Sequence, residues 1–126
     1  MTTQPRVGRL AKRRAAWSRG QRGESLAAWW LRLKGYRIVA RGFRCPAGEI
    51  DIIARRGGTL AFVEVKARPD LKQAGEALGP RQRARIARAA EVFLQRHPRL
   101  APLTLRFDVV LLVPGGRPHH ISNAWR

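Results

Sequence analysis

Two consecutive apolar segments joined by a glycine turn constrain the fold of this chain more than any other feature. Residues 49–55 and 59–67 are rich in Ile, Val, Leu and Phe, and the turn between them contains Gly57. This pattern predicts a β-hairpin. Because side chains alternate between the two faces of a strand, Asp51 and Glu64 each share a face with large apolar side chains. Charged groups on such a face are costly unless they are paired or bound to a metal ion.

The register of this hairpin predicts that Asp51 and Glu64 lie on adjacent strands, close to each other. With the turn centred near Gly57 and Gly58, the two acids lie at nearly equal distances from that centre. Two carboxylates so placed repel each other unless a cation lies between them, and oxygen ligands of this kind suit Mg²⁺ or Mn²⁺. Lys66 shares the face of Glu64 and can stabilise developing negative charge or position a water. This arrangement suits metal-assisted phosphodiester hydrolysis.

An internal salt-bridge cluster fits the same spacing. In that interpretation Lys66 neutralises Asp51 and Glu64, and no metal is needed. The pattern Asp-x(n)-Glu-x-Lys is short and arises often by accident. The apolar strands around the charges and the cross-strand register favour the metal site, but spacing alone leaves the alternative open.

The rest of the chain predicts two helices and further strands. The elements are a helix over residues 19–34 that stops at Gly35, strands over 36–44, 49–55 and 59–67, a helix over 80–96 that begins at Pro80, a strand over 103–113, and a short edge strand near His120 and Ile121. Proline favours the first turn of a helix, and glycine favours its end. The order helix, three strands, helix, strand predicts an α/β domain.

The first helix is predicted to be broadly buried. Its apolar side chains form two neighbouring lines, one of Ala27, Ala28 and Leu31, the other of Leu26, Trp30 and Leu33. Glu24 falls on the first line by helical spacing, so it lies nearer the buried side than an ordinary surface carboxylate. Glu24 either faces a functional site or simply stabilises the helix dipole at its N-terminal end.

Charge indicates a polyanionic partner. The chain of 126 residues has 26 basic and 8 acidic residues, for a net charge of +18. Such a field attracts nucleic acid. The alternatives are association with the ribosome, binding to an anionic membrane surface, or an arginine-rich composition that reflects a GC-rich genome. One domain over residues 19–126 is expected, after a flexible basic arm over residues 1–18 that includes Arg13 and Arg14. Arg81, Arg85 and Arg88 line one face of the second helix, and we expect them and the basic arm to contact the phosphates of a nucleic acid.

Several classes of protein are excluded or disfavoured. No segment reaches the roughly 20 apolar residues that span a bilayer, and the N-terminus has no apolar run of signal-peptide type, so we expect a cytoplasmic protein without membrane contact. Cys45 is the one cysteine, which excludes an internal disulfide. Asp108 and Arg106 are predicted to form an ion pair on the last strand. His119 and His120 are adjacent, so they would point in opposite directions in a strand and could not bind one metal ion together. They also lie far from the acidic residues in the sequence, and both are expected at the surface.

Four ordered motifs resemble the bacterial YraN family, which is placed in the PD-(D/E)XK nuclease superfamily near archaeal Holliday-junction resolvases. The motifs cover residues 23–24, 48–54, 62–66 and 106–110. The resemblance runs from about Trp17 to Trp125. It implies a restriction-endonuclease-like αβββαβ core, with a mixed central sheet flanked by helices.

The resemblance also assigns roles to residues of this chain. It implies that Asp51 and Glu64 are metal ligands and that Lys66 is the catalytic lysine. Glu24 matches the helical acid that often completes the site. Gln82 matches a polar position that faces the site.

The sequence thus predicts a metal-dependent endonuclease that hydrolyses DNA, with branched or repair intermediates as candidate substrates and Mg²⁺ or Mn²⁺ as the cofactor. The alternative is a nucleic-acid-binding module that keeps the fold without catalysis. A ribosomal or rRNA-associated protein is a weaker third reading. Resolvase-like enzymes act as dimers, which leaves a homodimer open, although nothing in the sequence identifies a dimer surface.

Overall fold

Five strands form a single mixed sheet whose order in space follows their order in the chain. The computed structural model describes residues 23–68 and 78–125. The elements are α1 over residues 23–33, β1 (Arg37–Cys45), β2 (Gly48–Arg56), β3 (Thr59–Ala67), α2 (Pro80–Arg96), a 3₁₀ turn (Pro98–Leu100), β4 (Thr104–Leu112) and β5 (His119–Trp125). This α/β architecture agrees with the predicted restriction-endonuclease-like core.

One pair of neighbouring strands, β3 and β4, is parallel, and all the other pairs are antiparallel. β1, β2 and β3 are antiparallel neighbours, β3 and β4 are parallel, and β5 returns antiparallel to β4 at the edge. Parallel neighbours need a crossover connection. In this chain the connection between β3 and β4 contains α2, so α2 lies against the sheet.

The helices cover opposite faces of the sheet, and the alternation of β2 and β3 separates their cores. Ile53 and Phe62 pack in the cluster that contains Phe93 of α2. Ile52 and Val63 pack in the other cluster, around Leu31 of α1. The predicted division of side chains between two faces is therefore confirmed for the central part of the hairpin.

Strict alternation fails at the start of β2. Ile50 was expected on the face of Ile52, but it packs with the α2 cluster instead. Its partner on β1 is Phe43, which also packs against that cluster. Gly42 precedes Phe43 and has φ +62°, a left-handed conformation that glycine adopts without steric strain. We attribute the change of face to this local rotation of the two paired strands.

The end of α1 follows the prediction, but its burial does not. Gly35 has φ +90°, its N–H donates to the carbonyl of Arg32 and the N–H of Tyr36 donates to the carbonyl of Leu31, both at 3.0 Å. This is a glycine-terminated helix end of Schellman type. The line of Ala27, Ala28 and Leu31 is completely buried, whereas Leu26 is 50% exposed and Leu33 73% exposed. The prediction of broad burial was wrong, because α1 contacts the sheet through one narrow, alanine-rich stripe.

Two predictions fall on parts of the chain without a described structure. The basic arm over residues 1–18, with Arg13 and Arg14, lies outside the described residues, as does the segment 69–77. Among the residues that are described, no helix has the length and apolar character needed to cross a membrane.

Candidate functional site

The acidic pair lies where the hairpin ladder stops. The last paired residues of β2 and β3 at this end are Ile52 and Val63, so the next positions across are Asp51 and Glu64. The N–H of Val65 donates to Oδ2 of Asp51 at 2.8 Å, so this amide is satisfied by a side chain. The two carboxyl groups lie close enough for each to shift the pKa of the other. The structure thus brings together the two acids that the register predicted to be neighbours.

Two polar side chains contact the carboxyl group of Glu64. Its side chain is 9% exposed, and its Oε1 accepts a hydrogen bond of 3.0 Å from Nε2 of Gln82. Nζ of Lys66 lies 3.4 Å from the same oxygen. Gln82 reaches Glu64 from the first turn of α2, since that helix begins at Pro80. The lysine and the glutamine named in the sequence analysis therefore both contact the acidic pair.

Burial makes the acids resist ionisation. Burial, and then the charge of Asp51, raise the pKa of Glu64 from 4.5 to about 8, although Lys66 opposes the shift. Burial also raises the pKa of Asp51, against the hydrogen bond from Val65. The pKa of Glu24 is raised too, first by burial and then by the charge of Asp51. For all three carboxyl groups burial outweighs the effect of the nearby positive side chains, so a bound cation would favour their ionised forms.

Two clefts meet at the acidic pair, and Asp51 and Glu64 line both. The cleft on the α2 side has a volume of about 430 Å³ and is also lined by Arg44, Gln82 and Arg85. The cleft on the α1 side has a volume of about 360 Å³; its other lining residues are Gly23, Glu24, Val65, Ala67 and Arg68. The carboxyl groups are therefore buried among protein atoms and yet border space that a ligand can enter.

A glycine on β2 allows α2 to approach the site. A Cβ atom on Gly48 would lie 2.9 Å from the backbone oxygen of Arg85, closer than such atoms approach in real structures. The absence of a side chain at Gly48 thus permits the position of α2 that carries Gln82 to Glu64. The sequence analysis used this glycine only as part of a family motif, and the packing of α2 gives its physical role.

Glu24 lies close enough to affect the other acids but makes no direct bond to them. It lines the α1-side cleft, and its charge interacts with that of Asp51. Within residues 23–68 and 78–125, no group of three or more His, Cys, Asp or Glu side chains is close enough to hold a metal ion. Asp51 and Glu64 could supply two oxygen ligands, with Glu24 acting at longer range. Mg²⁺ commonly takes only one or two protein carboxylates and fills its remaining positions with water and substrate phosphate.

The arginines predicted to bind nucleic acid are distributed unequally around the site. Arg85 lines the α2-side cleft, whereas Arg81 and Arg88 are exposed on α2 and do not belong to that lining. Arg44 also lines the cleft, and its Nε lies 3.5 Å from Oε1 of Glu49. Arg44 was not among the site residues predicted from the sequence. Its place at the end of β1, directly opposite Glu49 on β2, was the signal that could have identified it.

A second buried acid, Asp108, lies on β4 and has no exposed surface. Its Oδ1 accepts bonds from Nε of Arg106 at 2.8 Å and from the N–H of Asn123 at 3.0 Å. Its Oδ2 contacts Nη2 of Arg106 and Nε2 of His120, both at 2.8 Å. Tyr36 and Lys34 complete this Asp108 cluster through contacts to Arg106 and His120 respectively. The predicted ion pair of Asp108 with Arg106 is confirmed.

The electrostatics of Asp108 are opposite to those of the acidic pair. Burial alone would raise the pKa of Asp108, but hydrogen bonds from His120 and Arg106 outweigh it and lower that pKa to about 2. Asn123 adopts φ +53° beside an irregularity in the pairing of β4 with β5, which turns its N–H towards the carboxylate. The Asp108 cluster therefore fixes the edge strand β5 to the sheet.

One prediction about the histidines was wrong. His119 is exposed as expected, but the side chain of His120 is only 2% exposed and contacts Asp108. The two rings do point to different environments, as adjacent residues of a strand should. Their distance in sequence from Asp108 concealed the contact, because only the antiparallel return of β5 brings His120 beside β4.

The residues of this site lie within a segment that matches a known protein family. The sequence profile described as Uncharacterised protein family UPF0102 matches residues 23–112, which include every residue of the acidic site. The chain belongs to UPF0102. This is the family of YraN, so the resemblance found in the sequence is confirmed.

Relatives in UPF0102 match almost the whole chain. The UPF0102 protein of Parvibaculum lavamentivorans is 55% identical over 121 residues, which cover 96% of this chain and 91% of the relative. That of Paramagnetospirillum magneticum is 55% identical over 116 residues, covering 89% and 90%. A UPF0102 protein of Chelativorans is 51% identical over 117 residues, covering 93% and 94%. None of these names specifies an activity, so function must be argued from the site.

Proposed function

We propose that this UPF0102 protein is a metal-dependent endonuclease that hydrolyses phosphodiester bonds in DNA. One observation carries the proposal: Glu64, which is buried, and Asp51, which is partly buried, lie at adjacent positions of the hairpin and line two open clefts, with Nζ of Lys66 3.4 Å from Glu64. Burying two like charges together is costly, and a protein that needed only stability would gain more from apolar side chains there.

The unused oxygens of the pair suit a divalent cation. Val65 occupies Oδ2 of Asp51, while Gln82 and Lys66 occupy Oε1 of Glu64. Apart from the contact between the two carboxyl groups, the described residues leave the other oxygen of each acid unbonded. Mg²⁺ or Mn²⁺ held there would lower the pKa of a water and bind the scissile phosphate. Hard oxygen ligands without sulfur or imidazole favour these ions.

The remaining residues of the site then have distinct tasks. Lys66 orients the attacking water or offsets the negative charge that develops on phosphorus. Gln82 fixes the orientation of Glu64 through its hydrogen bond to Oε1. Glu24 acts through water from the α1-side cleft, since it makes no direct bond to the pair.

Nucleic acid is the substrate that the charge of the protein supports. The net charge of +18 attracts phosphates, and Arg44 and Arg85 line the α2-side cleft next to the acids. Arg81, Arg88 and the basic residues 1–18 would add contacts to the backbone beyond the cleft. Contacts to phosphates position a nucleic acid without reading its sequence. We therefore infer selectivity for a DNA structure, with branched or repair intermediates as candidates, and little selectivity for sequence.

A nucleic-acid-binding module without catalysis is the second candidate. The contacts of Lys66 and Gln82 with Oε1 of Glu64 favour it, because they partly satisfy the acid without a metal. A pure binder, however, gains nothing from carboxylates that face phosphates. The two candidates differ in whether the acidic pair binds a cation.

The test combines metal binding with cleavage. Mn²⁺ binding is measured by isothermal titration calorimetry, and cleavage of junction, flap and single-stranded DNA is measured with Mg²⁺ or Mn²⁺. We expect Glu64→Ala to abolish Mn²⁺ binding and Lys66→Ala to lower the cleavage rate by about 100-fold or more. Glu91→Ala, which removes an exposed acid of α2, is the control and should change neither.

The outcomes separate the candidates. Cleavage that survives both Glu64→Ala and Lys66→Ala would disprove the assigned site. DNA binding without Mn²⁺ binding, and without cleavage of any substrate, would support the binding module. Binding that prefers RNA at matched salt would instead support the rRNA-associated alternative, since salt dependence is set by phosphate contacts in both cases.

A further inference from the structure

The outer face of α1 carries large apolar side chains that no described residue covers. Trp29 is 61% exposed, Leu26 is 50% exposed and Leu33 is 73% exposed. Positions 26, 29 and 33 recur on one helical face, and Trp30 lies beside them. Single exposed apolar residues are ordinary, but a continuous stripe of this size is typical of a surface that binds another molecule.

The apolar face continues from α1 onto the edge strand. A cleft of about 620 Å³ lies between Trp30 of α1 and Lys34 just after it, on one side, and the β5 residues His120 and Ile121 on the other; Pro118, just before β5, also lines it. Ile121 is itself 43% exposed. The stripe and this cleft share Trp30 and form one area, which we call the α1–β5 surface. It lies apart from the acidic pair, since neither Asp51 nor Glu64 lines it.

The charges around the α1–β5 surface are almost all positive. Arg32, Lys34, Arg117 and His119 are exposed at or next to it. Glu24 is the one acid in the described residues of α1 and β5, and it lines the cleft of the acidic pair instead. Burial, and then repulsion from Arg56, lower the pKa of Lys34, which is consistent with a local excess of positive charge.

We propose that the α1–β5 surface docks an acidic amphipathic helix of a partner protein. Leucine and tryptophan at positions 26, 29 and 33 have the spacing at which two helices pack their apolar faces together. Carboxylates along the edges of the incoming helix would meet Arg32 and Lys34. Charge complementarity of this kind orients a partner and excludes others.

Other occupants fit the surface less well. A second copy of this chain would bring the same arginines and lysines against each other, on a protein whose net charge is already +18. Nucleic acid would satisfy the cations and could stack a base on Trp29, but the aliphatic side chains of Leu26 and Leu33, which form the rest of the stripe, offer no flat surface for further bases. An acidic helix satisfies both the apolar stripe and its cationic border.

The experiment uses the full-length protein and a fluorescein-labelled synthetic helix with leucine on one face and glutamate on the other. Affinity is measured by fluorescence anisotropy. The double variant Trp29→Gln/Leu33→Gln should bind at least about tenfold more weakly than the wild type. Leu105→Gln is the matched control, because Leu105 is 43% exposed on β4, and it should bind like the wild type. A helix with lysine in place of glutamate should not bind.

Further measurements keep the proposal open to disproof. Because all three substituted residues are exposed, we expect the variants to have the melting temperature of the wild type. Equal melting temperatures would show that the variants are folded. Equal affinity of the wild type and the double variant would overturn the proposal. So would self-association of the wild type that the double variant loses, or stronger binding to phosphatidylglycerol vesicles or single-stranded DNA through the same residues. Protection of Trp29 from acrylamide quenching in the free protein would also overturn it, because the chain itself would then cover the stripe.

Discussion

Acidic side chains lie within the sheet in two places, and their pKa values are shifted in opposite directions in the two places. Asp108 accepts four short contacts from Arg106, His120 and a backbone N–H, and its pKa falls to about 2. Asp51 and Glu64 face each other with few donors, and the pKa of Glu64 rises to about 8. A buried carboxylate with all its bonds made is a structural element. A buried pair that resists ionisation beside an open cleft is a candidate for binding a ligand.

The largest effect is expected when the Asp108 cluster is broken. Asp108→Asn removes the negative charge and leaves the guanidinium of Arg106 without its counter-ion, which should lower the free energy of unfolding by about 3–5 kcal/mol. Urea unfolding at neutral pH measures this loss. Glu49→Gln, which breaks the exposed pair with Arg44, is the control and should cost less than about 1 kcal/mol.

The difference in stability between the wild type and Asp108→Asn should become smaller as the pH falls. The folded pKa of Asp108 lies below its ordinary value of 3.8, so the stabilisation is present above that value and is lost as the pH falls towards 2. The wild type and Asp108→Asn should therefore approach equal stability at low pH. A difference that stays constant down to pH 2 would show that shape, and not charge, explains the effect.

A smaller effect is expected from Gly48→Ala, which tests how α2 is held against the acidic pair. The new Cβ atom would meet the carbonyl of Arg85, so α2 must shift, and overpacking of this kind costs about 1–3 kcal/mol. The shift should also weaken Mn²⁺ binding by moving Gln82 away from Glu64. Gly58→Ala is the matched control within the same hairpin, because a Cβ at Gly58 has no neighbour within 4 Å. Loss of Mn²⁺ affinity in both variants would mean that the packing of α2 is irrelevant.

The last effect is expected from Glu64→Gln without metal, and it should be a gain in stability. The folded pKa of Glu64, about 8, exceeds its ordinary value of 4.5, so wild-type stability falls as the pH rises between these values. The variant lacks this loss and should be more stable than the wild type at pH 9, with little difference at pH 4. Thermal unfolding across this range measures it, with Glu91→Gln as the exposed control. A destabilised Glu64→Gln at pH 9 would contradict the claim that the pair is strained.

A bound metal ion should reverse the difference in stability between the wild type and Glu64→Gln. Mg²⁺ or Mn²⁺ that binds the ionised pair would stabilise the wild type increasingly above pH 8 and leave Glu64→Gln unaffected. The reversal links the stability of the site to its proposed function, and it needs no cleavage assay.

The hairpin shows how much of the site was predictable. Asp51, Glu64 and Lys66 follow from a local pattern, because a two-residue turn sets the register and the register sets the neighbours. Gln82 was named only through the family resemblance, since nothing in the sequence measures the position of α2 over β2. The pairing of Arg44 with Glu49 could have been predicted from the strands, but the place of Arg44 at the cleft depends on how α2 packs. The burial of α1 was overestimated, because helical spacing shows which side chains share a face but not how wide the contact is.

The sequence by itself determined the order of the elements, the acidic pair and the strong positive charge, because these depend on residues close together in the chain. The tertiary structure decided what each buried acid experiences. Asp108 and Glu64 are both acids within apolar strands. Arg106, on the strand of Asp108, makes two of its four bonds, and only the return of β5 adds the other two. Glu64 has Lys66 on its own strand, and the start of α2 adds one amide. Ionisation depends on donors and burial in space, and the chain brings those together only when it folds.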